Sequence, residues 1–424
     1  MELMKHQKDV LTATNDKNRV AYYLDMGLGK TFVGGEKAVS LGKSILLICQ
    51  KSKIDDWINH FLDNYNDINP CDLTKVKEKD LKAFLETSLR YQGEAHAWKV
   101  SVWIINYELA WRRKELSQLT DFTLMLDESS LIRNETCKQA KFILNKLHPS
   151  NVILLSGTLC NGKYELLWSQ CNLLGWNISK KLFYRQYMMY ELDGDGYPQI
   201  VGYKNVERLK SKLRSYGAVF MKTEEVLDLP QQTFINVDVA EIPEYKKFKK
   251  DSIVTIDNET LVGDTTLTKL LYSRMLCSVY HKGKLEAFED LLESTNDRLI
   301  VFYNFNNELR QLEDVCIKLN KPVSIVNGFE KDLSCYNEYD NAVVLVQYQA
   351  GAYGLNLQKA NKIIYFSPPL SSEAFEQSKK RIHRIGQDQA CFYYQLRTGI
   401  EHHIYQVLEM RKDYTDELFK EGVK

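Results

Sequence analysis

The stretch LDMGLGKT at positions 24–31 carries the residue types that bind a chain of phosphates. Gly27 and Gly29 let the backbone approach an anion closely, and the amides of such a loop and of the helix behind it form a phosphate cradle. Lys30 is placed to reach the β- and γ-phosphates, and the Thr31 hydroxyl to bind magnesium. The first glycine of this type of loop is replaced by leucine, so the alternative is a glycine-rich turn with an incidental lysine.

A pair of carboxylates follows the apolar run FTLML, where Asp127 and Glu128 stand next to each other. In open α/β sheets ligands bind at the carboxyl ends of the strands, which is where this pair falls. We expect Asp127 to hold magnesium through water and Glu128 to orient and activate an attacking water. The alternative is an N-cap pair that opens the next helix. The run LLSGT at 154–158 ends another strand with small hydroxyl residues, an arrangement that could couple nucleotide state to movement.

A basic run, QSKKRIHRIGQ, occupies positions 377–387. Gln377, Arg381 and Arg384 are spaced i, i+4 and i+7, so a helix would present them on one face while the two adjacent lysines project away. An arginine that reaches a γ-phosphate across a cleft is an arginine finger, which contributes about 10³–10⁵ in rate. The alternative is a basic helix face that only meets solvent. The carboxylate pair and the phosphate loop favour the catalytic interpretation.

These residues need strands to position them, and the sequence supplies two series of short, continuous apolar runs separated by amphipathic stretches. Such runs are typical of parallel strands buried on both faces, so the pattern predicts an α/β fold with two lobes. We place the boundary near LDLPQQ, giving a first lobe of residues 1–228 and a second of 229–424, with a long surface loop or hairpin at 190–205. The predicted strands are 19–24, 44–49, 101–105, 122–126 and 151–155, then 233–239, 298–303, 322–326, 342–346, 362–366 and 391–396.

Composition restricts the class of protein. The 424 residues carry 56 Lys+Arg and 56 Asp+Glu, so a basic surface must be local and balanced elsewhere. No apolar run is long enough to cross a bilayer, and the N-terminus MELMKHQKDV has no apolar signal region. The nine cysteines include no C-x-x-C pair, which indicates reduced thiols rather than a disulfide framework or a zinc site. We expect a cytoplasmic protein, in a bacterium or in the host of a phage.

Together, these segments resemble the Swi/Snf-type DNA translocases of helicase superfamily two, in order along nearly the whole chain. The most diagnostic pieces are GLNL within 349–360 and HRIGQ within 377–387, supported by the phosphate loop. The departures are Ser130 in place of the usual histidine of D-E-x-H and Leu159 in place of a proline. The other matching segments are LMKHQ, LICQKS, IINYE, LDESSLIRN, LLSGTLCN, FMKTEEVLDLP, KGKLE, LIVFYNF, VNGF and IYFSPP.

The resemblance implies two tandem RecA-like lobes, each a mainly parallel sheet flanked by helices, that close on ATP and magnesium. It implies a catalytic set of Glu128, Gln377, Arg381 and Arg384. ATP-binding residues implied in the same way are Gln7, Met26, Gly27, Leu28, Gly29, Lys30, Thr31 and Gly354, with Thr31 and Asp127 at the metal. DNA contacts implied in the same way are Lys51, Ser52, Asn106, Tyr107, Asn304, Asn327 and Asn356. Each of these polar residues has the alternative of a turn or cap residue.

The function expected from the resemblance is ATP-driven movement along double-stranded DNA by a monomeric motor, without sequence preference and without a membrane. A motor that follows the backbone should bind in a salt-dependent way. A strand-separating or annealing DNA helicase is an alternative, and an RNA helicase is a weaker one. An inactive nucleotide-sensing scaffold is a third interpretation, against which the intact lysine, carboxylates and arginines argue.

Overall fold

The structure is a computed structural model that describes residues 2–91, 100–157, 163–226, 229–348 and 355–419. Backbone contacts divide the chain into two compact units. The first unit comprises residues 1–226 together with 413–424, and the second comprises residues 227–412. The assignment of domains as 1–228 and 229–424 stays a prediction.

The first unit is built on a seven-stranded sheet in the order β3-β4-β2-β5-β6-β1-β9, in which neighbouring strands pair in parallel. The predicted strands are all present, while β3 and β9 were not predicted, because β3 lacks a continuous apolar run and β9 is only four residues long. The strands are β1 (Arg19–Leu24), β2 (Ile45–Cys49), β3 (Ile68–Asp72), β4 (Val100–Asn106), β5 (Thr123–Asp127), β6 (Asn151–Ser156) and β9 (Ala218–Met221).

A separate antiparallel hairpin, β7 (Met188–Leu192) with β8 (Pro198–Tyr203), confirms the expectation of a loop or hairpin at 190–205. The helices of this unit connect the parallel strands. They are α1 (Lys5–Ala13), α2 (Lys30–Ser40), α3 (Ile54–Asn64), α4 (Glu78–Tyr91), α5 (Tyr107–Ala110), α6 (Lys138–Lys146), α7 (Trp168–Leu173), α8 (Lys180–Tyr187) and α9 (Val206–Ser215).

The second unit contains a six-stranded sheet, again with parallel neighbours, in the order β10-β17-β16-β13-β15-β14. All six strands were predicted. The small hairpin of β11 and β12, which is antiparallel, was not. The strands are β10 (Gln232–Asp238), β11 (Ile253–Ile256), β12 (Glu259–Val262), β13 (Leu299–Tyr303), β14 (Val323–Val326), β15 (Val343–Gln347), β16 (Lys362–Tyr365) and β17 (Cys391–Arg397).

Helices again connect these strands, so the predicted α/β class with two mainly parallel sheets is confirmed. The helices are α10 (Pro243–Asp251), α11 (Thr266–Cys277), α12 (Lys282–Glu293), α13 (Asn306–Lys318), α14 (Ser334–Glu338), α15 (Ser372–Lys379) and α16 (Glu401–Phe419). Within the described ranges, no helix is long and apolar enough to cross a membrane.

Burial on both faces explains why the strands are continuously apolar. Every residue of β2 is buried, as is every residue of β4 and β6. In the second unit the two faces of the sheet form separate clusters, one around Phe302 and Tyr365 and the other around Val301 and Phe366. Parallel strands with both faces covered place their carboxyl ends at one edge, and ligands of open α/β sheets bind at that edge.

Candidate functional site

The predicted phosphate loop and carboxylates follow neighbouring strands of the first unit. The sheet order places β5, β6 and β1 side by side, with Asp127 opposite Leu155 and Ser156 opposite Tyr23 in the register. Because these strands are parallel, the loop after β1 and the carboxyl ends of β5 and β6 lie at the same edge. The topology of the sheet therefore brings together residues that are about 100 positions apart in the sequence.

The loop after β1 has the backbone that its glycines predict. Gly27 has φ +93° and Gly29 has φ +75°, and both values lie in the left-handed region that favours glycine. Gly29 is the N-cap of α2, an eleven-residue helix, so the first amides of that helix point back towards the loop. A helix N-terminus behind a loop of this shape favours a bound anion.

Lys30 directly follows this loop, as the first residue of α2. Its ammonium donates to the carbonyl of Leu24 at 3.0 Å and to that of Asp25 at 3.4 Å. A side-chain carbon added at Gly157, just after β6, would lie 2.9 Å from the Lys30 Nζ atom. The lysine thus reaches across from α2 to the end of β6, where phosphate oxygens can replace its carbonyl partners.

Gln7 packs directly on the loop. It is 5 % exposed, its amide donates to the Leu28 carbonyl at 3.2 Å, and a side-chain carbon at Gly29 would lie 2.2 Å from its Nε2 atom. The Leu28 side chain is fully buried, and Met26 is half-buried. These contacts bring the predicted nucleotide residues together around the loop, and the binding of ATP by Gln7 stays a prediction.

Asp25 was not singled out from the sequence, although it anchors the loop. Its carboxylate accepts from the Thr223 backbone amide and from the Thr223 hydroxyl, both at 3.2 Å. The Asp25 amide donates to the carbonyl of Met221 at the end of β9. The loop is therefore held by β9 and by the residue Thr223 just after it. Nothing in the local sequence signals the partner, which lies about 200 positions away.

Asp127 is held by a tryptophan that sequence reasoning missed. The indole N–H of Trp57, on α3, donates to the Asp127 Oδ2 atom at 2.8 Å, and Trp57 is 2 % exposed. Burial raises the pKa of the Asp127 carboxyl, while the bond from Trp57 and the charge of Lys30 oppose that rise. A half-buried carboxylate of this kind gains stability from a nearby cation.

Glu128 has φ +57°, a left-handed conformation that is strained for a residue with a side chain. Its Oε1 atom accepts from the Ser156 hydroxyl at 2.9 Å and from the Ser130 hydroxyl at 3.3 Å. Ser130, which replaces the family's histidine, is 1 % exposed. The end of β6 therefore contacts the predicted catalytic carboxylate directly. The coupling of nucleotide state to movement by LLSGT stays a prediction, and Thr158 and Leu159 lie outside the described residues.

The donor set fits a magnesium–nucleotide complex. Magnesium in such sites is held by one or two carboxylates and by phosphates, and it retains several waters. Asp127 provides one half-buried carboxylate at the end of β5, and Thr31, half-buried at the start of α2, provides a hydroxyl. In the described part of the chain no group of three or more His, Cys, Asp and Glu could hold a metal by itself. A cation here would therefore depend on the phosphates.

The first-unit residues predicted to contact DNA fall into two groups. Lys51 and Ser52 are exposed in the turn after β2. Asn106 is 8 % exposed and its amide donates to Glu108 at 2.6 Å. Tyr107 is 3 % exposed, and its hydroxyl donates to the Asp127 carbonyl at 3.0 Å. This burial favours a positioning role for Tyr107, and its contact with DNA stays a prediction.

In the second unit the basic run is not one helix, and that expectation was wrong. Helix α15 ends at Lys379, and the chain then turns, so that the Arg381 carbonyl accepts from the Leu357 amide at 3.2 Å. Lys379 was expected to project away from the face of Gln377, Arg381 and Arg384, but it does not lie on the protein surface. Lys379 is 3 % exposed, pairs with Glu376 at 2.5 Å, and stacks on the rings of Phe234 and Phe375.

The two arginines instead contact residues of the GLNL motif. Arg381 is 3 % exposed and donates to the Leu355 carbonyl at 3.5 Å. Arg384 donates to the Asn356 Oδ1 atom at 2.6 Å, and burial lowers its pKa. Arg384, a predicted catalytic residue, is therefore hydrogen-bonded to Asn356, a predicted DNA contact. Gln377 lies on α15 and donates to Glu373 at 3.4 Å.

Gln387 fixes this arrangement. Its amide donates to the carbonyls of Ala360 at 2.8 Å and Gln358 at 3.2 Å, and Gly386 before it has φ +93°. Gln387 and Gly386 of HRIGQ thus stabilise the backbone conformation of the turn. Gly354, predicted to bind ATP, lies outside the described residues.

Asn304 and Asn327 make local contacts, as their turn-residue alternative suggests. The Asn304 amide donates to the Ser367 hydroxyl at 2.8 Å and the Pro368 carbonyl at 3.0 Å. The Asn327 Oδ1 atom accepts from the amides of Phe329 and Glu330 in a tight turn. Their DNA contacts stay predictions.

Comparisons with known proteins identify the family. The family model described as SNF2-related domain matches residues 6–280, and the model described as Helicase conserved C-terminal domain matches residues 283–386. The yeast "ISWI chromatin-remodeling complex ATPase ISW2" is 24% identical over 421 residues, which cover 88% of this chain and 36% of that protein. The "Putative ATP-dependent helicase/translocase YwqA" of Bacillus subtilis is 24% identical over 456 residues, covering 93% of this chain and 46% of that protein.

The chain thus spans less than half the length of these relatives. Among solved structures, the "Sulfolobus solfataricus SWI2/SNF2 ATPase core in complex with dsDNA" aligns with a TM-score of 0.43 and 20% identity, covering 98% of this chain and 92% of that one. The SNF2-related model alone matches more than half of the sequence. The protein is therefore a member of the SNF2-related family of helicase-like ATPases.

Proposed function

We propose that this protein is a motor that hydrolyses ATP to move along double-stranded DNA without separating its strands. One observation carries the proposal: Lys30, Asp127 and Glu128 stand at one edge of one parallel sheet, with Ser156 bonded to Glu128. That arrangement serves phosphoryl transfer to water. DNA as the track is supported by the SNF2-related and helicase C-terminal family matches, and by relatives whose names refer to translocation and chromatin remodelling.

In the proposed reaction, the loop after β1 binds the phosphates through its amides and the Lys30 ammonium. Magnesium would be held by the Thr31 hydroxyl and, through water, by Asp127, and would neutralise charge on the β- and γ-phosphates. Trp57 holds one Asp127 oxygen, so the carboxylate keeps a fixed orientation. Ser156 holds Glu128 in position to orient the attacking water. Arg381 and Arg384 stabilise the charge of the transition state.

Steady-state ATP hydrolysis with duplex DNA, single-stranded DNA, RNA or no nucleic acid tests the proposal. We expect duplex DNA to stimulate hydrolysis at least as well as single-stranded DNA. Lys30→Ala should abolish hydrolysis and leave the unfolding midpoint unchanged, because the loop loses its phosphate cation and no core packing. Lys82→Ala, which removes an exposed lysine of α4, is the matched control and should behave as wild type.

Three outcomes would contradict the proposal. Wild-type turnover in the Lys30→Ala variant would remove the assignment of the phosphate loop. Stimulation by RNA alone would indicate an RNA helicase. No hydrolysis under any condition would indicate a nucleotide-sensing scaffold.

A further inference from the structure

The first unit contains an open groove between helix α8 and the β7–β8 hairpin, away from the phosphate loop in sequence and assigned to no role above. Its volume is about 550 Å³, within the range of ligand-binding clefts. We call it the α8 groove. The residues that line it are Lys180, Lys181, Tyr184, Arg185, Met188, Tyr190 and Lys204.

The α8 groove has more positive charge than its surroundings neutralise. Lys181, Arg185 and Lys204 are exposed and form no ion pair within the described ranges. Lys181 and Arg185 are four residues apart on one helix, where like charges destabilise the helix. An anion bound in the groove would remove that repulsion.

The carboxylates nearby are already engaged. Glu135 pairs with Lys180, the fourth cation of the groove. Glu165 accepts a hydrogen bond from the Tyr203 hydroxyl at 2.8 Å. The groove therefore keeps a net positive charge with both of these carboxylates counted.

Aromatic rings lie among these cations. Tyr190 is 44 % exposed on β7, and Tyr184 is half-buried beneath the Lys180 ammonium, which lies 5.2 Å from the ring centre. The exposed apolar surface continues along the hairpin to Leu192 and Tyr197. Cations interleaved with exposed aromatic rings are the arrangement that binds unpaired nucleotides, in which phosphates meet the charges and bases stack on the rings.

We propose that the α8 groove binds a single-stranded segment of nucleic acid. Its phosphates contact Lys181, Arg185 and Lys204, and a base stacks on Tyr190. A duplex would present its phosphates but not a base face to the tyrosine, and an acidic peptide would satisfy the charges and leave the exposed ring unused. The inference is independent of ATP hydrolysis, because the groove shares no residue with the phosphate loop.

The first test is the anisotropy of a fluorescein-labelled oligothymidylate titrated with the full chain in the absence of ATP. The triple variant Lys181→Gln, Arg185→Gln, Lys204→Gln should bind at least about tenfold more weakly at low salt. The slope of log K against log salt should become shallower by about 2, since each phosphate contact on a single strand contributes about 0.7.

The matched control removes the same charge from the same unit, at Lys77→Gln, Lys79→Gln and Lys82→Gln. These exposed lysines alternate with Glu78 and Asp80 near the start of α4. Equal binding by the groove and control variants, both folded by circular dichroism, would overturn the proposal.

The second test locates the strand. An oligonucleotide containing 5-iodouracil, irradiated on the wild-type chain, should crosslink to the peptide that carries Tyr190. Tyr190→Leu should abolish that crosslink and weaken binding about tenfold. Crosslinks confined to other peptides would overturn the proposal. The proposal would also be overturned if the charge variants of the α8 groove lost affinity for poly-glutamate but kept their affinity for the oligonucleotide. That result would identify an acidic protein as the partner.

Discussion

Asp127 shows how a single residue is prepared for a cation. The carboxylate is half-buried, which raises its pKa, and the indole of Trp57 offsets part of that cost by donating to one oxygen. A hydrogen bond to a charged group is worth about 1.5–3 kcal/mol. The tryptophan thus keeps the carboxylate both ionised and oriented.

We predict that Trp57→Phe lowers ATP turnover about ten- to hundredfold at limiting magnesium, since 1.36 kcal/mol corresponds to a tenfold change in rate. The bond from Trp57 lowers the pKa of Asp127, so its loss raises that pKa further. Activity requires the ionised carboxylate and is lost as pH falls through its pKa. The acid limb of the pH–rate profile should therefore move to higher pH. Magnesium titrations and pH profiles of ATP hydrolysis measure both effects.

Trp103→Phe is the matched control. Trp103 is fully buried in the same unit, and its indole N–H donates to the Ser88 hydroxyl at 3.2 Å, away from the carboxylates. Identical magnesium dependence and identical acid limbs in the two variants would mean that Trp57 serves only the core.

At the scale of elements, the end of α15 determines how the arginines are presented. The helix stops at Lys379 because the chain beyond it bonds to residues 355–360 instead of continuing the helical ladder. Spacing along a helix therefore does not describe Arg381 and Arg384. Their positions depend on contacts with a segment about 26 residues earlier, such as Arg384 with Asn356.

We predict that Arg384→Ala still binds ATP but loses about 10³-fold in turnover, as expected for an arginine that stabilises transition-state charge. Asn356→Ala keeps that charge and removes only its partner, so its loss should be smaller. Lys359→Ala is the surface control, with an expected effect within about 0.5 kcal/mol. Steady-state ATPase and nucleotide titrations measure these effects. Similar, small losses in all three variants would mean that the basic segment has no part in catalysis.

A second element-scale feature is the ion pair that joins α12 to α16. Lys284 and Glu401 are almost fully buried, with 2.5 Å between Nζ and Oε2. Burial raises the pKa of Glu401 to about 7, and Lys284 opposes the rise. Since the folded pKa lies above the ordinary value of 4.5, the stability that this carboxyl contributes is present below pH 4.5 and is lost as pH rises through about 7.

We predict that the free energy of unfolding of the wild type falls relative to that of Glu401→Gln between about pH 4.5 and 7, by up to about 3 kcal/mol. Above about pH 7, where the wild-type carboxyl is ionised, the variant also leaves Lys284 without its counter-charge. Urea denaturation across this pH range measures the difference. Glu289→Gln is the control, since its pair with Lys318 is largely exposed. Parallel stability curves for wild type and Glu401→Gln would contradict the prediction.

At the scale of the whole molecule, the sequence predicted the parallel strands, because their apolar pattern repeats along the chain. Parallel strands buried on both faces are continuous apolar runs, and the runs from 19–24 to 391–396 all formed strands. Strand β3, which has no such run, was missed: it contains Asn69 and Pro70, and its last residues are only partly buried. A second missed strand, β9, is apolar but short. Strand β9 is a four-residue edge strand.

The functional site likewise contains residues that the sequence predicted and residues that it did not. Lys30, Asp127 and Glu128 were predictable because the chemistry requires those residue types at strand ends. Trp57 and Thr223 were not, because their roles arise from contacts that only the folded chain creates. The path of the basic run was missed for the same reason: local spacing predicts a helix, and a distant segment competes for its backbone.

The net charge of zero also has a consequence for movement. A chain without overall positive charge would hold DNA through local contacts, and the proposed motor follows the backbone and leaves base pairs closed. We predict that ATP hydrolysis releases the third strand of a DNA triplex, while a forked duplex of equal length stays paired. Gel electrophoresis of labelled strands measures both reactions, and Lys30→Ala, which cannot use ATP, should release neither. Robust separation of the forked duplex would assign the protein to the strand-separating helicases. A third strand retained during active hydrolysis would show that turnover is not coupled to travel along the duplex.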